Sequence, residues 1–333
     1  MHAGRHYTLK EFLIWSRRNI YYLFIVSSVP VVLFKFCGMD WIHIPWAPVT
    51  LIGTAAVLIA GFRNNATYSR SWEARQIWGG IVNSSRSWGI MAKDFIPADA
   101  PQRKSTQVTL IYRHIAWLTA LRFQLRQPRE WENARVKARY KEYAKKYRVA
   151  EWEETLQYNL KQVLSKEEML SLERAANPAA QIIKLQSEHI ASLNDKGVIE
   201  TLKYVEMVGV LKEFYDQQGR NERIKNFPYP RQYASISTFF IHLFVLMTPL
   251  GIIKEFNELG GCGIWLTIPF SMITGWIFLV LESVGESTEN PFEGGANDIP
   301  ITAMSRTIEI DLREMLGEID IPPALKPENN ILM

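Results

Sequence analysis

The stretch 49-VTLIGTAAVLIAGFRNNATYSR-70 decides how this chain folds, because an apolar helix becomes polar there within a single residue. Its apolar part, Val49 to Phe62, has only 14 residues, and Arg63 begins the polar part. A helix that faces lipid needs about 20 apolar residues to cross a bilayer. We therefore predict a membrane span that is sheltered by other helices. The small residues that would let those helices approach closely are Gly53, Ala55, Ala56, Ala60 and Gly61.

Three side chains of this helix, Thr54, Leu58 and Phe62, recur every four residues, which places them on one face. In one copy of the chain, such a face is an ordinary apolar stripe of the kind that contacts lipid or a protein core. In a symmetric ring of copies, it would form a narrow apolar neck that opens onto polar residues. An apolar constriction gates a pore by excluding water. The spacing alone favours the ordinary stripe, whereas the short span together with the family resemblance described below favours the neck.

The composition divides the chain into membrane and soluble parts. Of its 333 residues, 47% are hydrophobic and 22% are charged, and the charged residues concentrate between positions 63 and 234. The net charge of +4 is too small to indicate nucleic-acid binding. The sequence contains no HExxH, GxSxG, P-loop or CxxC motif, and its six histidines are scattered. We therefore expect no enzyme, no metal and no cofactor.

Apolar segments at 20–36, 235–253 and 262–281 predict three further spans, and the basic residues 1–19 predict a helix along the membrane surface. Four spans put both termini on one side, and the distribution of Lys and Arg marks that side as the cytosol. The sequence thus predicts an all-α, multi-pass protein of the cytoplasmic (inner) membrane with both termini in the cytosol.

The second span is expected to continue as a helix into residues 68–91, where tryptophans alternate with charged residues. Helical spacing of apolar residues then predicts a large cytosolic helical domain, followed after the fourth span by a tail that packs on it. The expected divisions are 1–94 with the surface helix, two spans and the neck, 95–232 as the cytosolic domain, 233–281 with the last two spans, and 282–333 as the tail.

Three stretches resemble the bestrophin family in its bacterial branch. They are GFRNNATYSRSWEARQIWG at 61–79, FPYPRQY at 227–233 and NPFEGGANDIPITAMSRTIE at 290–309. The resemblance covers nearly the whole chain in the same order. It implies a homopentameric ring with one central pore, four transmembrane helices per subunit and passage of monovalent ions through the membrane. The family's three neck positions fall on the stripe at 54, 58 and 62, and the hydroxyl of Thr54 departs from the apolar pattern.

The resemblance also implies a second constriction at the cytosolic exit, for which Ile199, Thr201 and Leu202 are the candidates. Animal members carry consecutive acidic residues after NPF, which bind calcium. Here only Glu293 and Asp298 remain, separated by uncharged residues. Calcium takes about 6 to 8 oxygen ligands. We therefore expect no calcium gating through this remnant.

Charged and polar residues near the neck leave the sign of the permeant ion open. Arg63, with Asn64 and Asn65, would attract anions below the neck, or Arg63 would cap the end of the helix. Glu282 and Glu286 would favour cations, or would pair with arginines at the end of the fourth span. We expect monovalent cations first, with a chloride or anion channel, as in animal bestrophins, as the alternative. Glu289 belongs with these glutamates in either case.

Two other interpretations remain from the residues. A non-conducting membrane scaffold would recruit partners through the basic run 131–148, although such runs are more often solvated helix faces. A membrane-bound hydrolase using Glu282 or Glu286 has no further support. Cys37 and Cys262 lie at the outer ends of spans, where a disulfide is permitted but not determined by the sequence. His242, inside the third span, is expected at the lipid interface or in a hydrogen bond between helices.

Overall fold

The computed structural model describes residues 1–333 and is built almost entirely of helices. Isolated bridges pair His2 with Ile331 and Glu328 with Ile331, and there is no sheet. The predicted all-α class is confirmed. The helices are α1 (Leu9–Phe36), α2 (Trp46–Asp94), α3 (Arg103–Arg126), α4 (Ala138–Ala144), α5 (Ala150–Glu153), α6 (Leu156–Leu160), α7 (Lys166–Leu172), α8 (Pro178–Asp195), α9 (Thr201–Asn226), α10 (Arg231–Glu258), α11 (Thr267–Thr288) and α12 (Ile301–Met315), with 3₁₀ turns at Asp40–Ile42 and Gly263–Leu266.

Four helices are long and apolar enough to cross a membrane, which confirms the predicted number of spans. They are α1, the first part of α2, α10, and the continuous segment made by the second 3₁₀ turn and α11. Each contains an 18-residue window with a mean hydropathy of at least 1.4 and at most two charged residues. Windows of this length and polarity suit the hydrocarbon core of a bilayer.

The first span differs from the expectation, because the separate surface helix at 1–19 is not present. Residues 9–36 form one helix, so its basic beginning is the first part of the span itself. A capping box fixes this start: Glu11 N donates to Thr8 Oγ1 at 3.2 Å, and Thr8 N donates to Glu11 Oε2 at 2.8 Å. No glycine or proline occurs between Leu9 and Val29 to interrupt the helix.

The second span continues without a break, as predicted. Helix α2 has 49 residues and contains both the apolar residues 49–62 and the tryptophan-rich residues 68–91. No proline follows Pro48 within it, so nothing removes a backbone hydrogen bond along its length. Its length is more than twice what a bilayer core of about 30 Å requires.

The chain divides into two compact units. The span unit contains residues 4–70 and 228–289, and the helical unit contains residues 1–3, 71–227 and 290–333. In the span unit, close helix packing depends on small residues: a Cβ at Gly53 would lie 2.5 Å from the Phe244 ring, and one at Gly275 would overlap Leu23. The small residues predicted to allow close approach therefore do so at Gly53, whereas Gly61 faces open space.

The helical unit is organised around one core of large apolar side chains. Trp88, Trp117 and Phe214 are fully buried and in ring contact with one another, from α2, α3 and α9. Helix α12 closes this core with Ile308 and Leu312, and a Cβ at position 89 would meet Leu312 at 2.5 Å. The tail helix is therefore an integral part of the helical unit.

Three further residues of the span unit that the sequence singled out are Cys37, Cys262 and His242. Cys37 and Cys262 are both exposed and unpaired, so the structure contains no disulfide. The ring of His242 is hydrogen-bonded through Nδ1 to the carbonyl oxygen of Thr238 at 2.8 Å, within its own helix. It also lies 5.9 Å from the ring of Tyr22 on α1. None of these three residues provides chemistry beyond helix packing.

Candidate pore-lining site

The predicted neck residues share one exposed face of α2. The buried face of the same helix carries Val49, Ala56 and Ala60, which are fully or almost fully covered. Residues two positions apart lie roughly half a turn from each other on a helix. Leu58 and Phe62 therefore point away from the rest of their own span unit, and they are 59% and 68% exposed.

Thr54 lies on this face, and its hydroxyl proton is already engaged in a hydrogen bond. Its Oγ1 donates to the carbonyl oxygen of Thr50 at 2.8 Å, and Thr50 Oγ1 donates in turn to the carbonyl oxygen of Trp46 at 3.1 Å. A hydroxyl has one donor and two acceptor lone pairs. Thr54 therefore presents acceptor oxygen and a methyl group, and it cannot donate to an anion without breaking this bond.

The exposed face becomes polar after Phe62. Asn65 follows Leu58 by seven residues, which places it on the same side two turns later, and Ser69 follows Asn65 by four. Both side chains are exposed. Asn65 was predicted as a site residue from the sequence, whereas Thr50 and Ser69 were not. The same four- and seven-residue spacing would have identified both.

Arg63 lies on the buried face of α2, which does not fit the anion-attracting role expected from the sequence. Its side chain is 5% exposed, and Arg63 Nη2 lies 3.1 Å from Glu289 Oε2. The other oxygen of Glu289 lies 2.9 Å from Arg231 Nη1. The sequence left open an alternative in which the glutamates pair with arginines, and this is the arrangement observed. Arg63 takes part in it because position 63 continues the buried face of α2.

Glu282 and Asn64 belong to the same packed arrangement. Glu282 Oε1 lies 3.8 Å from Arg63 Nη1 and accepts a hydrogen bond from Thr238 Oγ1. Asn64 Nδ2 donates to the carbonyl oxygen of Leu281 at 3.0 Å. Glu286 is partly exposed. Paired charges of this kind are how membrane helices tolerate ionised groups. With Arg231 and Glu289, these paired side chains carry two positive and two negative charges.

The candidates for the second constriction separate clearly. Ile199 is 2% exposed and belongs to the core of the helical unit, so it cannot line an open conduit. Thr201 begins α9, and Leu202 in the first turn is 80% exposed. Val205, three residues later, is also exposed and extends the same apolar face. Thr201 and Leu202 are both exposed, so both remain candidates, and Leu202 is the apolar one.

Glu293 and Asp298 are both buried and held by hydrogen-bond donors of the protein. Asn133 N and Ala134 N donate to Glu293 Oε2 at 2.8 and 3.3 Å, and Gly294 N donates to Asp298 Oδ2 at 2.7 Å. Burial raises the pKa of Glu293 to about 8, helped by the charge of Asp298.

The same pair does not suit calcium. Burial also raises the pKa of Asp298 to about 6, against the opposing charge of Arg126, whose Nη1 lies 3.2 Å from it. Donors therefore occupy lone pairs that a calcium ion would require, and the high pKa of Glu293 favours a proton there. These two carboxylates do not fit the calcium-binding group of the animal family members.

Comparison with known proteins places these observations in a family. A family model described as Bacterial/Fungal Bestrophin protein matches residues 17–314. The voltage-dependent anion channel-forming protein YneE of Escherichia coli K12 is 26% identical over 92% of this chain and 91% of its own length. A protein of Ralstonia nicotianae that is also named as a voltage-dependent anion channel-forming protein is 28% identical over 83% and 82%.

A crystal structure of a bacterial bestrophin homologue from Klebsiella pneumoniae has the same fold. It matches 91% of this chain and 99% of its own, with a TM-score of 0.75 and 24% identity. The names of the relatives describe channels and not enzymes, in agreement with the missing catalytic motifs. Since the family model spans most of the sequence, from the first span to the tail helix, this chain belongs to the bacterial and fungal bestrophin family.

Proposed function

We propose that this chain conducts monovalent ions across the cytoplasmic membrane through the centre of a homopentameric ring. The carrying observation is the face of α2 on which Leu58 and Phe62 are exposed and turned away from their own span unit. This face is apolar through Phe62 and then continues into the exposed Asn65 and Ser69, as expected where a dry neck opens into water.

The neck would gate the pore by excluding water. Rings of Leu58 and Phe62 present no group that replaces the hydration shell of an ion, so a narrow ring stays empty of water and closed. A small rotation of α2 would move Leu58 aside and bring the polar face toward the axis. Leu202, at the start of α9, is proposed as the second constriction, in the cytosolic domain formed by residues 95–232.

The names of the relatives favour anions, against the cation preference expected from the sequence. One observation supports cations as the second candidate. Thr54 offers acceptor oxygen and no free proton, which suits a cation better than an anion. The balanced cluster around Arg63 favours neither sign.

A single experiment addresses both conduction and its sign. The purified protein is placed in a planar bilayer under asymmetric NaCl, and the reversal potential is measured before and after chloride is replaced by gluconate. A reversal potential near the chloride equilibrium potential, with loss of current in gluconate, indicates an anion channel. A potential near the sodium value, unchanged in gluconate, indicates a cation channel. Currents no larger than those of protein-free bilayers would refute conduction.

The orientation in the membrane follows the same proposal. Lys and Arg are concentrated before the first span and between the second and third spans, which places both termini in the cytosol of a cell whose inner membrane holds the protein. Membrane lipids would then contact the outward faces of α1, α10 and α11, whose side chains are largely exposed in the subunit. Cysteine accessibility at Cys37, compared from the two sides of the membrane, tests this orientation.

A further inference from the structure

Helix α4 carries a row of lysines on its exposed side. Lys137, Lys141 and Lys145 recur every four residues, and all three side chains are exposed. Lys137 N donates to the carbonyl oxygen of Asn133 at 3.0 Å, and Lys141 N donates to that of Lys137 at 3.0 Å, so these residues stand one turn apart. At about 1.5 Å per residue, the lysine row is about 12 Å long. The proposed pore uses none of these side chains.

The charge around the lysine row is strongly positive. Residues 134–147 contain six basic residues and one acidic residue, Glu142. Neither Lys141 nor Lys145 forms an ion pair with a carboxylate. Further along the chain, Arg148 lies 2.7 and 2.8 Å from two glutamates, so those carboxylates are already paired and do not neutralise the row. The row therefore presents positive charge to a ligand outside the chain.

The opposite side of α4 is fixed to the helical unit. Tyr143 follows Lys141 by two residues, which is roughly half a turn, and together with Ala144 it packs against a small buried cluster. The members of that cluster are Tyr147, Val149, Ile331 and Met333. Just after the helix, Asn329 Nδ2 donates to the carbonyl oxygen of Lys146 at 2.6 Å. These contacts hold the helix with its lysine row turned outward.

The segment before α4 is anchored to both chain connections that lead to the last two spans. Arg129 Nη2 donates to Asn226 Oδ1 at 2.8 Å, and α10 begins five residues after Asn226. Asn133 N donates to Glu293 Oε2 at 2.8 Å, and Glu293 follows the last residue of α11 by five. Five residues of extended chain reach at most about 18 Å. Chain connectivity therefore keeps residues 129–134, and α4 after them, close to one surface of the membrane.

The residue type of the row suits a lipid surface better than a nucleic acid or an acidic protein. A lysine ammonium is a hydrated point charge on a flexible stem, whereas arginine is the residue that recognises single phosphates and carboxylates through paired hydrogen bonds. A membrane surface with anionic lipids attracts basic segments beside it, and each Lys or Arg strengthens binding by about fivefold.

We propose that the lysine row of α4 binds the headgroups of anionic phospholipids in the leaflet next to the helical unit. Charge complementarity and the short chain connections to two spans carry this proposal. It requires that the spans cross a membrane, and it does not depend on whether the ring conducts ions.

Acetylation of the full-length protein in lipid nanodiscs tests the proposal, with the rate at each lysine followed by mass spectrometry. One set of nanodiscs contains phosphatidylcholine alone, and the other contains an equimolar mixture with phosphatidylglycerol. Lys141 and Lys145 are expected to react at least about threefold more slowly in the mixed nanodiscs, and high salt should remove the difference. Lys196, exposed at the end of α8, should react equally in both. Equal rates at Lys141 and Lys145 in the two sets would overturn the proposal.

Substitution tests whether the charges of the row bind the lipid. Fluorescent short-chain phosphatidylglycerol, added to the protein in neutral detergent, should bind about twentyfold more weakly to Lys141→Gln/Lys145→Gln than to wild type. Lys196→Gln/Lys212→Gln is the matched control, since it removes two charges from exposed positions outside the row and should bind the lipid like wild type. Thermal unfolding of each variant establishes that it is folded before it is titrated.

Three results of these measurements would overturn the proposal. The first is equal lipid binding by wild type and Lys141→Gln/Lys145→Gln. The second is displacement of the lipid by inorganic phosphate at equal concentration, which would indicate a site for free phosphate. The third is protection of the lysine row from acetylation by polyglutamate or an oligonucleotide but not by phosphatidylglycerol, which would assign the row to an acidic macromolecule.

Discussion

Replacement of Glu293 by glutamine is expected to make the protein more stable than wild type as the pH rises. The carboxyl group of Glu293 faces a buried charged cluster in the helical unit. A methyl group at Gly295 would lie 2.9 Å from Asp298 Oδ1 and 3.8 Å from Glu293 Oε1, so both carboxylates border one small space. The other buried titratable groups around them are Arg126, Glu132, Tyr147, Glu151, Lys225 and the N-terminal ammonium of Met1.

The cations of this cluster already have partners. Arg126 pairs with Asp298 at 3.2 Å, and Lys225 pairs with Glu132. Glu293 is held by backbone N–H groups alone, at Asn133 and Ala134. A negative charge on Glu293 would therefore be both buried and without a cation, which is the physical reason that its proton is retained.

The magnitude follows from the pKa of Glu293, which rises from 4.5 to about 8. Each unit corresponds to about 1.4 kcal/mol, so the folded state favours the protonated carboxyl by on the order of 5 kcal/mol relative to the unfolded chain. Since the folded pKa is the higher one, this stabilisation is complete below pH 4.5 and is lost as the pH rises through 8. Glutamine keeps the shape and the acceptor oxygen without titrating.

Denaturation of the detergent-solubilised protein, followed by tryptophan fluorescence between pH 5 and pH 9, measures this effect. The free energy of unfolding of Glu293→Gln minus that of wild type should increase with pH by about 2 to 4 kcal/mol. Glu188→Gln, at an exposed position of α8, should show a difference that does not vary with pH. Parallel pH profiles for wild type and Glu293→Gln would refute the assignment of a retained proton.

Further predictions concern the pore and the span unit. Leu58→Ala should raise single-channel conductance in a planar bilayer, because it widens and wets the neck. The control Leu246→Ala, on α10, should leave the conductance unchanged. Unchanged conductance in Leu58→Ala would argue against the neck. Thr54→Val keeps the shape of the side chain and removes its acceptor oxygen, so it should lower the open probability of the channel. Equal open probabilities in wild type and Thr54→Val would contradict a role for that hydroxyl. Arg63→Gln should lower the free energy of unfolding by about 3 kcal/mol, because it leaves Glu289 buried with a partner on one side only. Adding Glu289→Gln should restore part of this loss, and a single variant as stable as wild type would show that the ion pair contributes little.

Features that depend on local periodicity were predictable from the sequence. The four spans follow from the length and polarity of each apolar segment, and the shared face of Leu58 and Phe62 follows from helical spacing alone. The unbroken continuation of α2 also follows, since no proline interrupts it after Pro48. The separate surface helix before α1 was a wrong prediction, because polarity changes along a helix without ending it and only a breaking residue or a competing cap would end it.

Features that depend on which side of a helix meets a neighbour required the tertiary structure. Arg63 follows the neck directly in sequence, yet the rotation of α2 against α11 turns it to Glu289 and away from the exposed face. Ile199 and Leu202 are both large apolar residues three positions apart, and only packing into the core of the helical unit decides that one is buried and the other exposed.

The sequence by itself determined that this chain is an all-helical membrane protein of four spans with a regular apolar stripe on the second. It did not determine what surrounds the buried polar groups. The raised pKa of Glu293 depends on burial among groups that are distant in the chain, such as Asn133, which lies 160 residues away. Helical periodicity is set by hydrogen bonds between residues four apart, whereas burial and electrostatics are set by contacts that exist only after the chain has folded.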